Sequence, residues 1–293
     1  MSTAVALLRT LRPQQWVKNL FVAAPLVFSR HLLDAAFAWR AAAAVAIFCA
    51  LSGAVYAFND VRDVDSDRAH PTKRNRPIAS GALSTRAALI ASALLASVAL
   101  GAAFALTPLL AAVAAAYLAN NLAYTLRLKQ VAFLDVLMIA AGFLLRVYAG
   151  AVAIDVPASR WLLICTGSLA LFLGLGKRAH ELAWAQQQPE TATTRAALAG
   201  YSLRVLRPLM IGLGLLTCAA YVGYARSPHT IAFFGTERLM WTTPFPLIGI
   251  ARFLTLALWR PKVESPTEAM LRDPFFIANI IAWGITVVAI VYR

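Results

Sequence analysis

The chain has 293 residues, 60% of them hydrophobic and only 14% charged, against about 25% charged in an average soluble domain. Water is therefore not its main solvent, and apolar runs that recur from end to end without a polar linker argue for one integral membrane domain over residues 1–293. A net charge of +14 would suit nucleic acid only if the basic residues formed a binding face instead of following the two sides of a membrane.

The first sixteen residues, MSTAVALLRTLRPQQW, carry an apolar patch broken by Arg9 and Arg12, which is too short for a cleavable leader. A bilayer core needs about 20 apolar residues per helix. Nine stretches meet that length: 14–33, 37–60, 86–105, 107–126, 131–153, 160–178, 203–224, 239–259 and 274–292. The first is the weakest, interrupted by Lys18 and Pro25. The second runs into FNDVRDVDSDRAHPTKRNRPIASG, where four aspartates fall within eight residues and Lys73, Arg74 and Arg76 follow. The third and fourth join through the uncharged turn FALTPLLAA, and the fourth ends near Tyr124 and Lys129. The fifth contains Arg146 and the eighth Arg252, while the sixth closes on Gly176-Lys177-Arg178-Ala179-His180-Glu181. Cys49, Cys165 and Cys218 are scattered through apolar segments without metal or redox spacing and read as buried thiols. The expected fold class is all-α, a polytopic membrane bundle of nine transmembrane helices.

With nine spans, 19 basic residues fall on one side of the membrane and six on the other, Arg146 and Arg252 lying within spans. The positive-inside rule then places the N-terminus and the aspartate-rich stretch in the cytoplasm and the C-terminus outside. This distribution removes the support for nucleic acid.

At about 100° per helical residue, Asp60, Asp63 and Asp67 project within roughly 60° of one another, while Asp65 points almost the opposite way. Three carboxylates on one face repel unless a cation sits among them, and hard oxygen donors suit Mg²⁺ shared with a substrate's phosphates. The bland alternative is a solvated acidic loop neutralised by Arg62, Arg68, Lys73, Arg74 and Arg76. Helical register, position at the end of a span and the basic cluster beyond favour the metal–diphosphate reading. Arg146 is costly inside a bilayer and reads either as a structural ion pair or as a cavity arginine for phosphate. Asp135 lies eleven residues earlier, on the same helical face and about 16 Å away along the axis. Trp16 and Lys18 suit an interfacial belt as well as a site. Arg252 reads as snorkelling or internally paired, and His31 and His229 as interfacial. No metal-ligand spacing links His70 and His180.

Asn59-Asp60-x-x-Asp63-x-x-x-Asp67, followed by Arg74-x-Arg76-Pro77 and Gly81, resembles the first aspartate motif of the UbiA superfamily of intramembrane prenyltransferases. A narrower resemblance joins RPQQWVKN (12–19), DRAHPTKRNRPI (67–78), YTLRLKQVAFLDV (124–136), GFLLRVYAG (142–150) and LGKRAHEL (175–182) to its decaprenyl-phosphate phosphoribosyltransferase branch. That resemblance implies Mg²⁺-dependent transfer of 5-phosphoribosyl from phosphoribosyl diphosphate to a polyprenyl phosphate in a bacterial cytoplasmic membrane, with the site on the cytoplasmic side. It implies Asn59, Asp60, Asp63 and Asp67 as metal residues, Asp60, Asp63 and Asp67 being the catalytic ones. Lys18, His70, Lys73, Arg74, Arg76, Tyr124, Lys129, Arg146, Lys177, Arg178 and Glu181 are the implied substrate contacts, and a homo-oligomer is compatible with it. The superfamily's second aspartate motif is replaced here by the basic stretch 176–181, which suits an extra phosphate better than a second Mg²⁺.

Two other functions compete. One keeps the fold and moves a polyprenyl group from its diphosphate to an aromatic or quinone-precursor acceptor. The other is a transporter, which has no need of a helical-face aspartate triad at one membrane surface.

Overall fold

The computed structural model describes residues 2–187, 196–258 and 266–292. Arg195, Arg260, Lys262 and Arg293, all counted in the charge census, lie outside the described residues.

The described residues are predominantly helical and include no strand. It runs through α1 (Thr3–Leu11), a 3₁₀ stretch (Pro13–Ala23), α2 (Ala24–Phe28), α3 (Ala35–Arg62) and α4 (Val64–Ala69). Next come α5 (Thr85–Leu106), α6 (Pro108–Leu126), α7 (Leu134–Ala153) and α8 (Arg160–Gln187). The last are α9 (Leu203–Arg226), α10 (Pro228–Phe234), α11 (Pro244–Leu258), α12 (Pro266–Arg272) and α13 (Pro274–Val291). Among the described residues, eight helical segments are long and apolar enough to cross a membrane: α3, α5, α6, α7, α8, α9, α13 and the segment Arg238–Leu258 that ends in α11.

The first expected span takes another form. Instead of one α-helix over 14–33, the chain makes the 3₁₀ stretch and the short α2. Proline at 13 and 25 removes backbone donors and polar Gln14, Gln15, Lys18 and Asn19 interrupt the apolar pattern. Elsewhere the local signals are plain. Asp34, Ser84, Thr107 and Asp273 cap α3, α5, α6 and α13 with side-chain oxygens, and Pro108 and Pro274 occupy first-turn positions that need no donor. Leu94, Val98 and Phe104 on α5 and Ile281 and Ile285 on α13 are exposed; such apolar faces are costly in water and at home in lipid.

Two compact units emerge. One comprises Met1–Leu128 and Leu144–Ala158, the other Lys129–Phe143 and Ser159–Arg293, so α7 contributes to both. In the first unit, Phe48, Leu51, Leu110 and Tyr117 centre a core drawn from α3, α5, α6 and α7. There α7 meets the 3₁₀ stretch so closely that a Cβ on Gly150 would lie 1.8 Å from the carbonyl oxygen of Val22. In the second unit, Phe172, Met210 and Phe253 centre a core of α8, α9 and α11, and a Cβ on Gly176 would lie 2.2 Å from the Phe253 ring.

Candidate active site

The end of α3 carries the opening aspartates of the motif. Its last turn buries Asp60, and α4 begins at Val64 after Asp63 breaks the helix with φ −96° and ψ 7°. The α-type bonds Asp63 N–H to Asn59 O and Asp67 N–H to Asp63 O bridge the break at 2.9 and 2.8 Å. Asp60 and Asp67 thus stay together across it. Both are almost fully buried, and one guanidinium nitrogen of Arg76 donates to both, at 3.2 Å to Asp60 and 2.6 Å to Asp67.

A second arginine reaches the cluster from far away in sequence. Arg12 ends α1 in the left-handed region, φ 52°, and its side chain pairs with Asp60 and lies 5.2 Å from the centre of the Tyr56 ring. A non-glycine residue held there costs about 1–2 kcal/mol, and such outliers collect at working sites. Asp63 instead receives the amide of Asn59 at 3.1 Å, and Asp65 is exposed and 3.6 Å from Arg68. The anticipated triad on one helical face is therefore a converging pair, Asp60 with Asp67, and a separate Asn59–Asp63 pair. Among the described residues no three His, Cys, Asp or Glu side chains stand at metal-ligand spacing.

Two buried carboxylates that share a single cationic nitrogen are a fit for a divalent cation. Their oxygens already face one point, their mutual repulsion calls for positive charge, and hard oxygen donors are what Mg²⁺ prefers. Arg12 and Arg76, each about a quarter exposed, supply that charge in this structure.

Beyond α4, a bend through Lys73–Asn75 presents Lys73 half-buried and Arg74 exposed, and Gly81 closes the following turn at φ 80°. His70 Nδ1 accepts from the backbone N–H groups of Thr72 and Lys73, at 3.3 and 3.4 Å. Partial burial, with the nearby Lys73 charge, pushes the His70 pKa below its ordinary value, so the ring that orders this bend is neutral at pH 7. Lys18 is half-buried in the 3₁₀ stretch, and Tyr124 half-buried near the end of α6.

Arg146 is buried within the first unit. It donates through Nε to Asn19 at 2.8 Å and through a terminal nitrogen to the Tyr117 hydroxyl at 2.7 Å, with the guanidinium 4.7 Å from that ring's centre. Asn19 also donates to Ser52 at 3.1 Å.

In the second unit Arg178 is fully buried. Its Nε lies 2.5 Å from Asp135, and another nitrogen pairs with Glu181 one turn on. Tyr201 donates to the other oxygen of Asp135 at 2.5 Å and accepts from the backbone of Phe133 at 2.7 Å. Burial first, and then the bond to Asp135, raises the Tyr201 pKa far above its usual value and keeps the phenol a donor. Asp135, on the wheel a neighbour of Arg146, is thus committed to Arg178. Expected as a substrate contact, Arg178 is placed in a buried ion-pair network; Lys177 beside it is half-buried, as is Lys129 in the turn Leu128–Gln130. Arg252 pairs with Asp273.

Sequence reasoning missed Arg12, Asn19, Tyr117 and Tyr201. For the first two a signal existed, since the stretch RPQQWVKN begins and ends on them; nothing in the sequence singles out Tyr117 or Tyr201 from interfacial tyrosines.

Lipid-facing helices with paired acidic and basic side chains buried at a helix end define a polytopic membrane protein with an internal polar site. Residues 20–280 match the UbiA prenyltransferase family, and the chain belongs to it. It is 34% identical to decaprenyl-phosphate phosphoribosyltransferase of Mycolicibacterium smegmatis, over 98% of this chain and 92% of that one. It is 33% identical to the Corynebacterium glutamicum protein of the same name, over 99% and 87%. Among solved structures, a UbiA homolog from Archaeoglobus fulgidus bound to GPP and Mg²⁺ superposes with a TM-score of 0.71 at 16% identity, over 97% of this chain and 99% of that one. The apo UbiA homolog from Aeropyrum pernix gives 0.69 at 19% identity, over 92% and 98%. The shared fold is UbiA.

Proposed function

We propose that this chain, acting as one transferase domain, moves a 5-phosphoribosyl group from phosphoribosyl diphosphate to a polyprenyl phosphate and releases diphosphate. The observation that carries the reading is the similarity to decaprenyl-phosphate phosphoribosyltransferases over nearly the whole of both chains. Asp60 and Asp67, with Asn59 and Asp63 beside them, would hold Mg²⁺, which when bound neutralises charge on the leaving diphosphate.

The protein's own groups do the rest by position and charge. Arg12 and Arg76, partly open to solvent, exchange a carboxylate partner for diphosphate oxygens when the donor enters, while Lys73 and Arg74 extend the anion contacts. Lys18, His70 and Tyr124 are proposed to line the donor's path, with Arg146 reserved for a phosphate within the first unit. Lys129 and Lys177 are proposed phosphate contacts of the second unit, and Arg178 and Glu181 act through the fold that presents Lys177. The acceptor phosphate is already anionic, so an oxygen of it attacks C1 of the ribose as the bond from C1 to diphosphate breaks, with no general base. Charge stabilisation and alignment then supply the acceleration.

The proposed setting is a bacterial cytoplasmic membrane, with the site on the cytoplasmic side and a homo-oligomer compatible. Purified protein given labelled phosphoribosyl diphosphate, polyprenyl phosphate and Mg²⁺ should form a labelled lipid, and chelation of Mg²⁺ should stop it. Turnover of polyprenyl diphosphate with an aromatic acceptor, and no labelled lipid, would overturn the proposal.

A further inference from the structure

We propose that a second site, at the membrane face opposite the aspartates, binds a lipid whose headgroup is a phosphate ester carrying a primary amine, of the phosphoethanolamine type. It is a cavity of about 400 Å³ within the first unit, with Arg40, Thr107, Leu109, Tyr148, Val152 and Asp155 in its wall. Arg40 stands twenty residues before Asp60 on α3, about 30 Å of helix, which matches the thickness of a hydrocarbon core. The cavity is therefore separate from the site already described.

Its two charges carry the inference. Both side chains are exposed at the cavity, and among the described residues neither the Arg40 guanidinium nor the Asp155 carboxylate has a hydrogen-bond or ion-pair partner within the chain, the other included. Asp155 also sits where its residue type is unfavourable twice over. The N–H of Val156 reaches the carbonyl of Ala151 at 3.0 Å and that of Asp155 reaches Val152 at 3.2 Å, the double closure that ends α7 with Asp155 at φ 55°. Glycine is the residue that fits this position, and a carboxylate at a helix C-terminus opposes the helix dipole. A strained acid and a base, open in the wall of one cavity and neither engaged within the chain, complement a ligand that bears both charges.

The headgroup chemistry follows from the pair. Phosphate oxygens accept from Arg40, and a primary ammonium donates to Asp155. A headgroup with phosphate alone would meet the Asp155 charge unpaired, and a quaternary amine has no N–H to donate. Leu109 and Val152 offer apolar surface to the glycerol and first acyl carbons, which a soluble phosphate ester lacks.

The test titrates the purified full chain in detergent with phosphatidylethanolamine, phosphatidylcholine, phosphatidylglycerol or soluble glycerophosphoethanolamine, read by melting temperature and native mass spectrometry. Phosphatidylethanolamine should raise the melting temperature saturably and remain bound, the other three should not, and Arg40→Gln and Asp155→Asn should each weaken that response about tenfold. Asp155→Gly guards against a folding artefact, since it relieves the backbone: it should melt higher than wild type without lipid and lose the response. Equal stabilisation by phosphatidylglycerol or phosphatidylcholine, an unchanged response in both charge variants, or an equal effect of the soluble ester would overturn the proposal.

Discussion

Asp60 and Asp67 are bound to the same guanidinium nitrogen, and that fact sets expectations for single substitutions. Asp60→Asn and Asp67→Asn should each lower Mg²⁺-dependent transfer by about 10²–10³-fold, the scale of losing one electrostatic contact to a transition state. Each variant should keep its helical circular dichroism, because Asn still accepts from Arg12 or Arg76. Asp65→Asn should transfer at the wild-type rate, since Asp65 is exposed and, among the described residues, pairs only with Arg68. Equal activity in all three would remove the carboxylate site. The helical wheel made Asp60, Asp63 and Asp67 stand out in the sequence, because side-chain direction in a helix follows spacing alone. The wheel could not show the break at Asp63, which depends on how α4 turns away, or the approach of Arg12 from 48 residues earlier. Long-range pairings of this kind depend on tertiary packing, which leaves no periodic trace.

At the scale of elements, α7 and α8 are tied by a buried ion pair within the second unit, Asp135 with Arg178. Removing one partner of such a pair strands the other, at about 3–5 kcal/mol. Arg178→Met should therefore cut yield and melting temperature sharply, whereas Lys177→Ala should fold normally and lose affinity for the phosphorylated donor. The split is read by thermal melting alongside KM. A poorly folding Lys177→Ala, or a stable Arg178→Met with weak donor binding, would reverse the two roles. From sequence the two residues were one basic patch, since adjacent positions on a helix differ only in direction, and direction acquires meaning once the neighbours are known.

The start of α13 carries a pH-dependent element of its own. Asp273 accepts from the N–H of Phe276 at 2.9 Å and pairs with Arg252. The hydrogen bond from Arg252, ahead of the backbone donors, holds the Asp273 pKa below the usual carboxylate value. A depressed folded-state pKa means stability that is present above the unfolded value of about 3.9 and lost as pH falls through the folded one. Asp273→Asn keeps a capping oxygen but loses the charge, so it should be less stable than wild type at pH 7 by about 0.3–1 kcal/mol, from the helix N-terminus and the Arg252 pair. The gap between the two melting curves should close below about pH 4. A gap that stayed constant with pH would show that the carboxylate's charge is not what stabilises this end of α13.

For the whole molecule, the number of crossings decides which faces the two chain ends occupy. Among the described residues eight segments have the length and hydropathy of spans, and a ninth crossing would rest on the first residues. The 3₁₀ stretch rises about 2.0 Å per residue and α2 about 1.5 Å. Residues 13–28 therefore cover about 30 Å, one hydrocarbon thickness, although they form no single α-helix. Their polar residues are accommodated in part by the fold: Asn19 is buried and bonded to Ser52 and Arg146. The apolar length of this stretch was legible in the sequence, but its 3₁₀ form was not, since it follows from Pro13 and from the close contact with Gly150. Nine crossings would put the chain ends on opposite faces, and the excess of arginine and lysine would then select the cytoplasmic face for the N-terminus. A fluorescent reporter that matures only in the cytoplasm should then light up at the N-terminus and stay dark at the C-terminus, with a phosphatase active only outside giving the converse. Both ends on one face would mean that residues 13–28 enter the membrane and return, leaving eight crossings and the aspartate site to be placed by a cysteine-accessibility probe at Ser66.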